Sequence, residues 1–227
     1  MTQYPDFPLS LALQNYMPVV LSAIGFFLVA RMVTREDWLA GRFVLAGATA
    51  LVVAGVMKAS WKLAMAVARL DVPLFNQAFF PIIAPGFMIM AWGVWASRRF
   101  ASPRSVLLPP LLTVALVLSL AGALALAAPG RTWAHWLIAV STVGNVSLAI
   151  LLIRRALRQH LPLAAGLFAL NLLITFALSS IAAMPEKPLA IHWTEQIIST
   201  VSNAGFAWAA WMLAHPKAAP VAQPAAA

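Results

Sequence analysis

Long apolar stretches, each about the length of a membrane-spanning helix, alternate with short polar connections along the chain. A bilayer core about 30 Å thick requires about 20 apolar residues in a helix. No stretch alternates polar and apolar residues as a membrane β-strand would. The pattern therefore predicts an all-α integral membrane protein with seven transmembrane helices. These helices are expected at about residues 10–31, 43–66, 74–97, 106–128, 133–153, 162–183 and 192–214.

The composition agrees with this pattern. The chain is 63% hydrophobic and only 9% charged, whereas soluble domains carry about 25% charged residues. It has no cysteine, which excludes disulfides, thiolate metal ligands and cysteine nucleophiles. The high hydrophobic fraction and the low charged fraction exclude a soluble globular domain.

The net charge of +9 comes mainly from arginines in alternate connections. By the positive-inside rule, the side that these connections share is cytoplasmic. We expect a protein of a bacterial inner (cytoplasmic) membrane, with its N-terminus outside and its C-terminus in the cytoplasm. Topology and attraction to membrane lipid explain the charge, so no nucleic acid partner is expected. The arginines are Arg31, Arg35 and Arg42, then Arg98, Arg99 and Arg104, then Arg154, Arg155 and Arg158.

The chain contains an internal repeat. A shift of about 119 residues aligns about fifteen identical residues over roughly seventy positions, where chance would give about seven. The scarcer residue types among them include the pairs Gln77 with Gln196 and Trp92 with Trp211. A single linker helix between the two units makes the repeats parallel. The predicted organisation is an extracytoplasmic N-terminus (1–9), a first three-helix repeat (10–98), a linker helix (99–130), a second three-helix repeat (131–214) and a disordered cytoplasmic tail (215–227).

This plan of three helices, one linker and three helices resembles that of the heptahelical sugar transporters called SWEETs and their PQ-loop relatives. The resemblance is architectural and covers nearly the whole chain. In those transporters an asparagine on the last helix of each repeat faces a central substrate site. Asn203 matches that position in the second repeat, and Ala84 is its counterpart in the first. The family's Pro-Gln pair is absent, since Pro18 is not followed by glutamine. The resemblance implies a carrier with a central binding site.

Three asparagines lie near mid-depth in the last three predicted helices: Asn145, Asn171 and Asn203. An asparagine in lipid favours an interhelical hydrogen bond, worth about 0.5–2 kcal/mol. Three at a common level predict a polar, substrate-binding pocket in the second repeat. Simple helix packing is the alternative.

Charged and amide side chains near the outer ends of the spans extend this candidate site. Glu195 is the only acidic residue inside a predicted span. Lys58 on the second helix is its predicted partner. Such a pair either fixes packing or takes part in substrate or proton binding. Gln77 and Gln196 are added as candidate substrate-binding residues. Lys62 is close enough to the interface for its ammonium group to reach it.

Two prolines, Pro81 and Pro85, predict a kink or hinge in the third helix, because proline removes backbone hydrogen bonds. The motifs of zinc proteases and phosphate-binding loops are absent, so we assign no catalytic residue and no metal ligand. Three functions stay open. We favour a carrier or binding protein for a small polar solute. The alternatives are a haem- or metal-binding redox protein that uses His135 and His192, and a receptor or assembly subunit without a solute. The sequence predicts neither the cofactor nor the oligomeric state.

Overall fold

Seven helical spans among the described residues of the computed structural model are long and apolar enough to cross a membrane, as the hydrophobic pattern predicts. The structure describes residues 8–97, 103–127, 132–182 and 188–215, and these contain no strand. The all-α class is therefore confirmed, while most of the predicted N-terminus and tail lies outside the described residues. The helices are α1 (Leu9–Gln14), α2 (Tyr16–Glu36), α3 (Trp38–Ala68), α4 (Pro73–Gln77), α5 (Phe79–Ala96), α6 (Pro103–Ala127), α7 (Thr132–Arg158), α8 (Pro162–Ala182) and α9 (Leu189–Ala214).

Two of the spans are interrupted near one end, in each case three residues before a proline. The first span divides into α1 and α2 at Asn15, before Pro18. The third divides into α4 and α5 at Ala78, before Pro81. A proline has no N–H to donate to the carbonyl four residues earlier, so the regular hydrogen-bond ladder is lost at these points. Pro85 lies inside α5.

Six of the seven spans form a closed ring. In order around the ring, α2 packs against α3, α3 against α5, α5 against α7, α7 against α8, α8 against α9, and α9 against α2. The fourth span, α6, lies outside this ring and packs mainly on α5 and α7. Many side chains of α6 are exposed, among them Leu111, Leu112 and Leu116. This helix therefore has the character of a peripheral element.

The two ends of the ring differ. We call the end where α2 meets α3 and α7 meets α8 the arginine side, because Arg35 and Arg158 lie there, and the other end the opposite side. At the arginine side, Asp37 links α2 directly to α3 and caps α3 by accepting a hydrogen bond from the Ala40 N–H at 2.9 Å. At the opposite side, α3 ends at Arg69, which adopts a left-handed conformation.

The main hydrophobic core fills the arginine half of the ring. All six ring helices contribute fully buried side chains to it. One from each, in ring order, is Val33, Val44, Met90, Leu152, Phe168 and Leu213. A separate small cluster packs α6 against α5 and α7. The centre of the opposite half of the ring is occupied by cavities.

Two close contacts join α2 to α9 and α5 to α7. A Cβ atom added at Gly25 on α2 would lie 2.5 Å from the ring of Phe206 on α9. A Cβ atom added at Gly144 on α7 would lie 2.8 Å from Cβ of Phe87 on α5. Glycine is required at both places because any side chain would force the helices apart.

Candidate functional site

All three asparagines singled out from the sequence line a central cavity of about 480 Å³. Asn145 reaches it from α7, Asn171 from α8 and Asn203 from α9. Hydroxyl groups of Ser141 and Thr142 add to the polar part of the wall. Among the described residues, the wall of this cavity carries no charged side chain. The cavity therefore offers neutral hydrogen-bonding groups inside an otherwise apolar bundle.

The three asparagines differ in how their side chains are held. Asn171 Nδ2 donates to Ser202 Oγ at 2.8 Å, which ties α8 to α9. Asn203 Nδ2 donates within α9 to the Ser199 carbonyl at 2.8 Å. The side chain of Asn145 makes no hydrogen bond with any other residue in the described part of the chain. The side-chain amide of Asn145 and the amide oxygens of the other two are thus available to the contents of the cavity.

Four phenylalanine rings close the cavity toward the arginine side. The rings of Phe26 and Phe206 have centroids 5.1 Å apart, and those of Phe168 and Phe206 lie 5.5 Å apart. Phe87 meets Phe26 edge-on at 6.3 Å. On α9, Phe206 lies three residues closer to the arginine side than Asn203. We call these four residues the phenylalanine layer, and the main core lies beyond it.

A second cavity, of about 310 Å³, extends from the first toward the opposite side. The two cavities share Phe79 and Asn203 as wall residues. Lys58, Lys62 and Gln196 line the second cavity. A charged outer compartment thus adjoins a neutral inner one.

Both lysines are held by asparagine side chains. Lys62 Nζ donates to Asn15 Oδ1 at 2.7 Å. Lys58 Nζ donates to Asn76 Oδ1 and lies 5.6 Å from the centre of the Phe79 ring, within range of a cation–π interaction. These contacts fix both ammonium groups in the opposite half of the ring.

Other predicted site residues lie elsewhere. Among the described residues, Gln77 and Glu195 do not line either cavity. Gln77 is exposed at the end of α4. The carboxylate of Glu195 lies 3.7 Å from Nδ1 of His192, one turn away on α9. Pairing of Glu195 with Lys58 stays a prediction.

Sequence reasoning missed Asn15. This residue is buried, and its Nδ2 donates to the Leu11 carbonyl at 2.6 Å while its Oδ1 accepts from Lys62. It belongs to a polar triplet, Gln14 to Tyr16, inside the first apolar stretch and just before Pro18. That combination of a polar triplet and a proline is the signal that could have identified it.

The two histidines of the redox alternative lie at the starts of α7 and α9. His135 is exposed, and His192 contacts Glu195. Within the described ranges, no group of three or more histidine, aspartate or glutamate side chains could hold a metal ion. The haem site stays a prediction. Comparison of the chain with protein families, with curated proteins and with solved structures found no match.

Proposed function

We propose that this chain is a carrier or binding protein for a small, uncharged polar solute, which binds in the 480 Å³ cavity. The observation that carries the proposal is the convergence of Asn145, Asn171 and Asn203, from three helices, on one cavity. Small-molecule sites typically have volumes of about 300–1,000 Å³ and few polar groups in apolar walls. The cavity matches this description in size and chemistry.

The wall chemistry supports a solute that both donates and accepts hydrogen bonds. The amide oxygens of the asparagines accept, and the Asn145 amide nitrogen donates. The hydroxyls of Ser141 and Thr142 already donate to the Ile138 carbonyl, so they accept from a solute. The phenylalanine layer offers apolar ring surfaces on the other side. A charged solute would have no counter-ion among the described wall residues, and an unpaired charge in such a site is costly.

The position of the cavities supports access from one side at a time. The inner cavity adjoins the lysine-lined compartment on the opposite side. Toward the arginine side it is closed by the phenylalanine layer and the main core. Alternating access requires states of this kind, in which one route is packed while the other is hollow.

The interrupted third span supports a hinge at Pro81 to Pro85. Phe79 lies before these prolines and Phe87 after them, and both line the inner cavity. Because two backbone donors are missing between them, this helix can bend at lower cost than a regular one. Bending there would change the wall of the cavity.

The contacts across the ring support the proposed three-plus-one-plus-three repeat and its resemblance to the SWEET and PQ-loop plan. The contact of Gly25 with Phe206 and that of Gly144 with Phe87 exchange under the 119-residue shift, which relates Gly25 to Gly144 and Phe87 to Phe206. Two parallel repeats around an axis along the membrane normal would produce such a pair of contacts.

Asn145→Leu is the variant that best separates a binding pocket from helix packing. Because the Asn145 amide has no protein partner among the described residues, replacing it should leave the free energy of unfolding unchanged or raise it by up to about 1 kcal/mol. Loss of its hydrogen bonds to a solute should weaken solute binding about tenfold. A packing role predicts the reverse, a less stable protein.

The probes are glucose, sucrose, mannitol, urea and glycerol, tested with the purified protein in neutral detergent by thermal shift and then by equilibrium binding. Thr194→Val is the matched control, because Thr194 is exposed on α9 and lines neither cavity. The proposal fails if Asn145→Leu destabilises the protein, or if both variants bind the solute equally well. Counterflow of the bound solute in vesicles then distinguishes a carrier from a binding protein.

A further inference from the structure

A second pair of adjoining cavities lies in the arginine half of the molecule, and the larger of them lies between the ring and α6. The larger one, about 440 Å³, lies between α5, α6 and α7 and is mostly apolar. Its wall includes Trp92, Ile150 and Pro110. The smaller one, about 200 Å³, has Trp95, Leu151 and Arg154 in common with it. An apolar cavity and a polar one therefore lie side by side and share wall residues.

The smaller cavity is basic. Arg154, Arg155 and Arg158, all from the last two turns of α7, line it together with Gln159. Glu36 pairs with Arg155, and one carboxylate leaves this group of three guanidinium groups with a net positive charge.

Arg155 provides the second observation. Its side chain is only 9% exposed, and its Nε makes no hydrogen bond with any described residue. A buried guanidinium donor without an acceptor is costly. Arginine is also the residue best suited to phosphate, because its planar group presents several donors at once.

We propose that this paired cavity binds an anionic phospholipid of the leaflet on the arginine side. The phosphate lies against Arg154, Arg155 and Arg158, and an acyl chain fills the apolar cavity beside Trp92 and Ile150. Basic pockets between transmembrane helices bind anionic head groups for this electrostatic reason. The lipid would thereby hold the peripheral α6 against α5 and α7. This site is separate from the proposed solute cavity, so the two proposals stand or fall independently.

Native mass spectrometry of the full chain in neutral detergent tests the proposal, with dioleoyl phosphatidylglycerol and dioleoyl phosphatidylcholine as probes. These lipids have the same acyl chains and differ in head-group charge. Wild type should retain phosphatidylglycerol preferentially. Each surface arginine contributes about fivefold to affinity for anionic lipid, so Arg154→Gln with Arg158→Gln should weaken retention about 25-fold. Both side chains are exposed, so this double variant should keep its helicity.

Arg35→Gln with Arg42→Gln is the matched control, because both residues are exposed on the same side and line neither cavity of the pair. It should retain phosphatidylglycerol within about twofold of wild type. Ser147→Phe adds bulk to the apolar cavity and should weaken retention of the lipid at unchanged charge.

Three results would overturn the proposal. Equal retention of the two lipids would remove the role of the arginines, and equal losses in the two double variants would show diffuse surface charge instead of a site. Inorganic phosphate that displaces the lipid at equal concentration would indicate an anion site without a lipid chain. Retention unchanged in Ser147→Phe, measured beside wild type, would lead to the same conclusion.

Discussion

Gly47 and Gly166 hold equivalent positions under the 119-residue shift but have different surroundings. A Cβ atom at Gly47 on α3 would lie 2.6 Å from the Gly86 carbonyl oxygen and 2.9 Å from the Met90 nitrogen, both in the backbone of α5. A Cβ atom at Gly166 on α8 would have no neighbour within 4 Å. Alanine at Gly47 therefore perturbs helix packing, whereas alanine at Gly166 changes helix propensity alone.

The magnitude follows from this geometry. In Gly47→Ala, α3 and α5 must separate by about 0.8 Å to bring both contacts to at least 3.4 Å, and a gap of 0.5–1 Å forfeits about a quarter to a half of each van der Waals contact. Such overpacking lowers the free energy of unfolding by about 1–3 kcal/mol. The higher helix propensity of alanine raises it by about 0.5–1 kcal/mol. We expect the free energy of unfolding to fall by about 0–2.5 kcal/mol in Gly47→Ala and to rise by about 0.5–1 kcal/mol in Gly166→Ala, a difference of about 1–3 kcal/mol.

Thermal unfolding of both variants in the same neutral detergent, followed by tryptophan fluorescence and helicity, measures the difference. At about 2–4 °C per kcal/mol for a chain of this size, the melting temperatures should differ by about 2–12 °C, with Gly47→Ala the lower. Equal melting temperatures, or the reverse order, would refute the close packing of α3 against α5. A less stable Gly166→Ala would instead show that this exposed face of α8 packs against another chain.

Two further pairs of residues give direct tests. In a double-mutant cycle of Asn15→Ala and Lys62→Met, we expect a coupling of about 1 kcal/mol in the free energy of unfolding, because Lys62 donates to the buried Asn15 at 2.7 Å; additive effects would contradict this hydrogen bond. Arg155→Met should destabilise the protein by about 1–3 kcal/mol by removing the partner of Glu36, a carboxylate that is 25% exposed. Adding Glu36→Gln to Arg155→Met should restore part of the lost free energy of unfolding. If the double variant is instead less stable than Arg155→Met alone, the ion pair is not what stabilises this end of α7.

The one-dimensional pattern was enough to predict the seven spans, and it predicts a common depth for the three asparagines. Span length follows from the thickness of the bilayer, and depth follows from the rise per residue once the ends of a helix are known. Residues at equal depth on three successive helices can meet in one cavity, as Asn145, Asn171 and Asn203 do.

Other parts of the candidate site could not be obtained in this way. Gln77 and Gln196 match under the 119-residue shift, yet Gln77 is exposed while Gln196 lines the outer cavity. The break at Ala78 separates Gln77 from the helix that forms the wall. Lys58 contacts Asn76, a residue only 18 positions away, because α4 turns back beside the end of α3.

The sequence by itself determined the class of this protein, its seven apolar spans and the polar residues within them, because a backbone in lipid must satisfy its own hydrogen bonds and only long helices of apolar residues do so. The tertiary structure decided which helices are neighbours. It closed six spans into a ring with α6 outside, filled the arginine half with apolar side chains and left the other half hollow. Lipid is as apolar as the interior of the bundle, so hydrophobicity does not determine which face of a helix turns inward. Close packing of small residues and polar contacts between helices determine it instead.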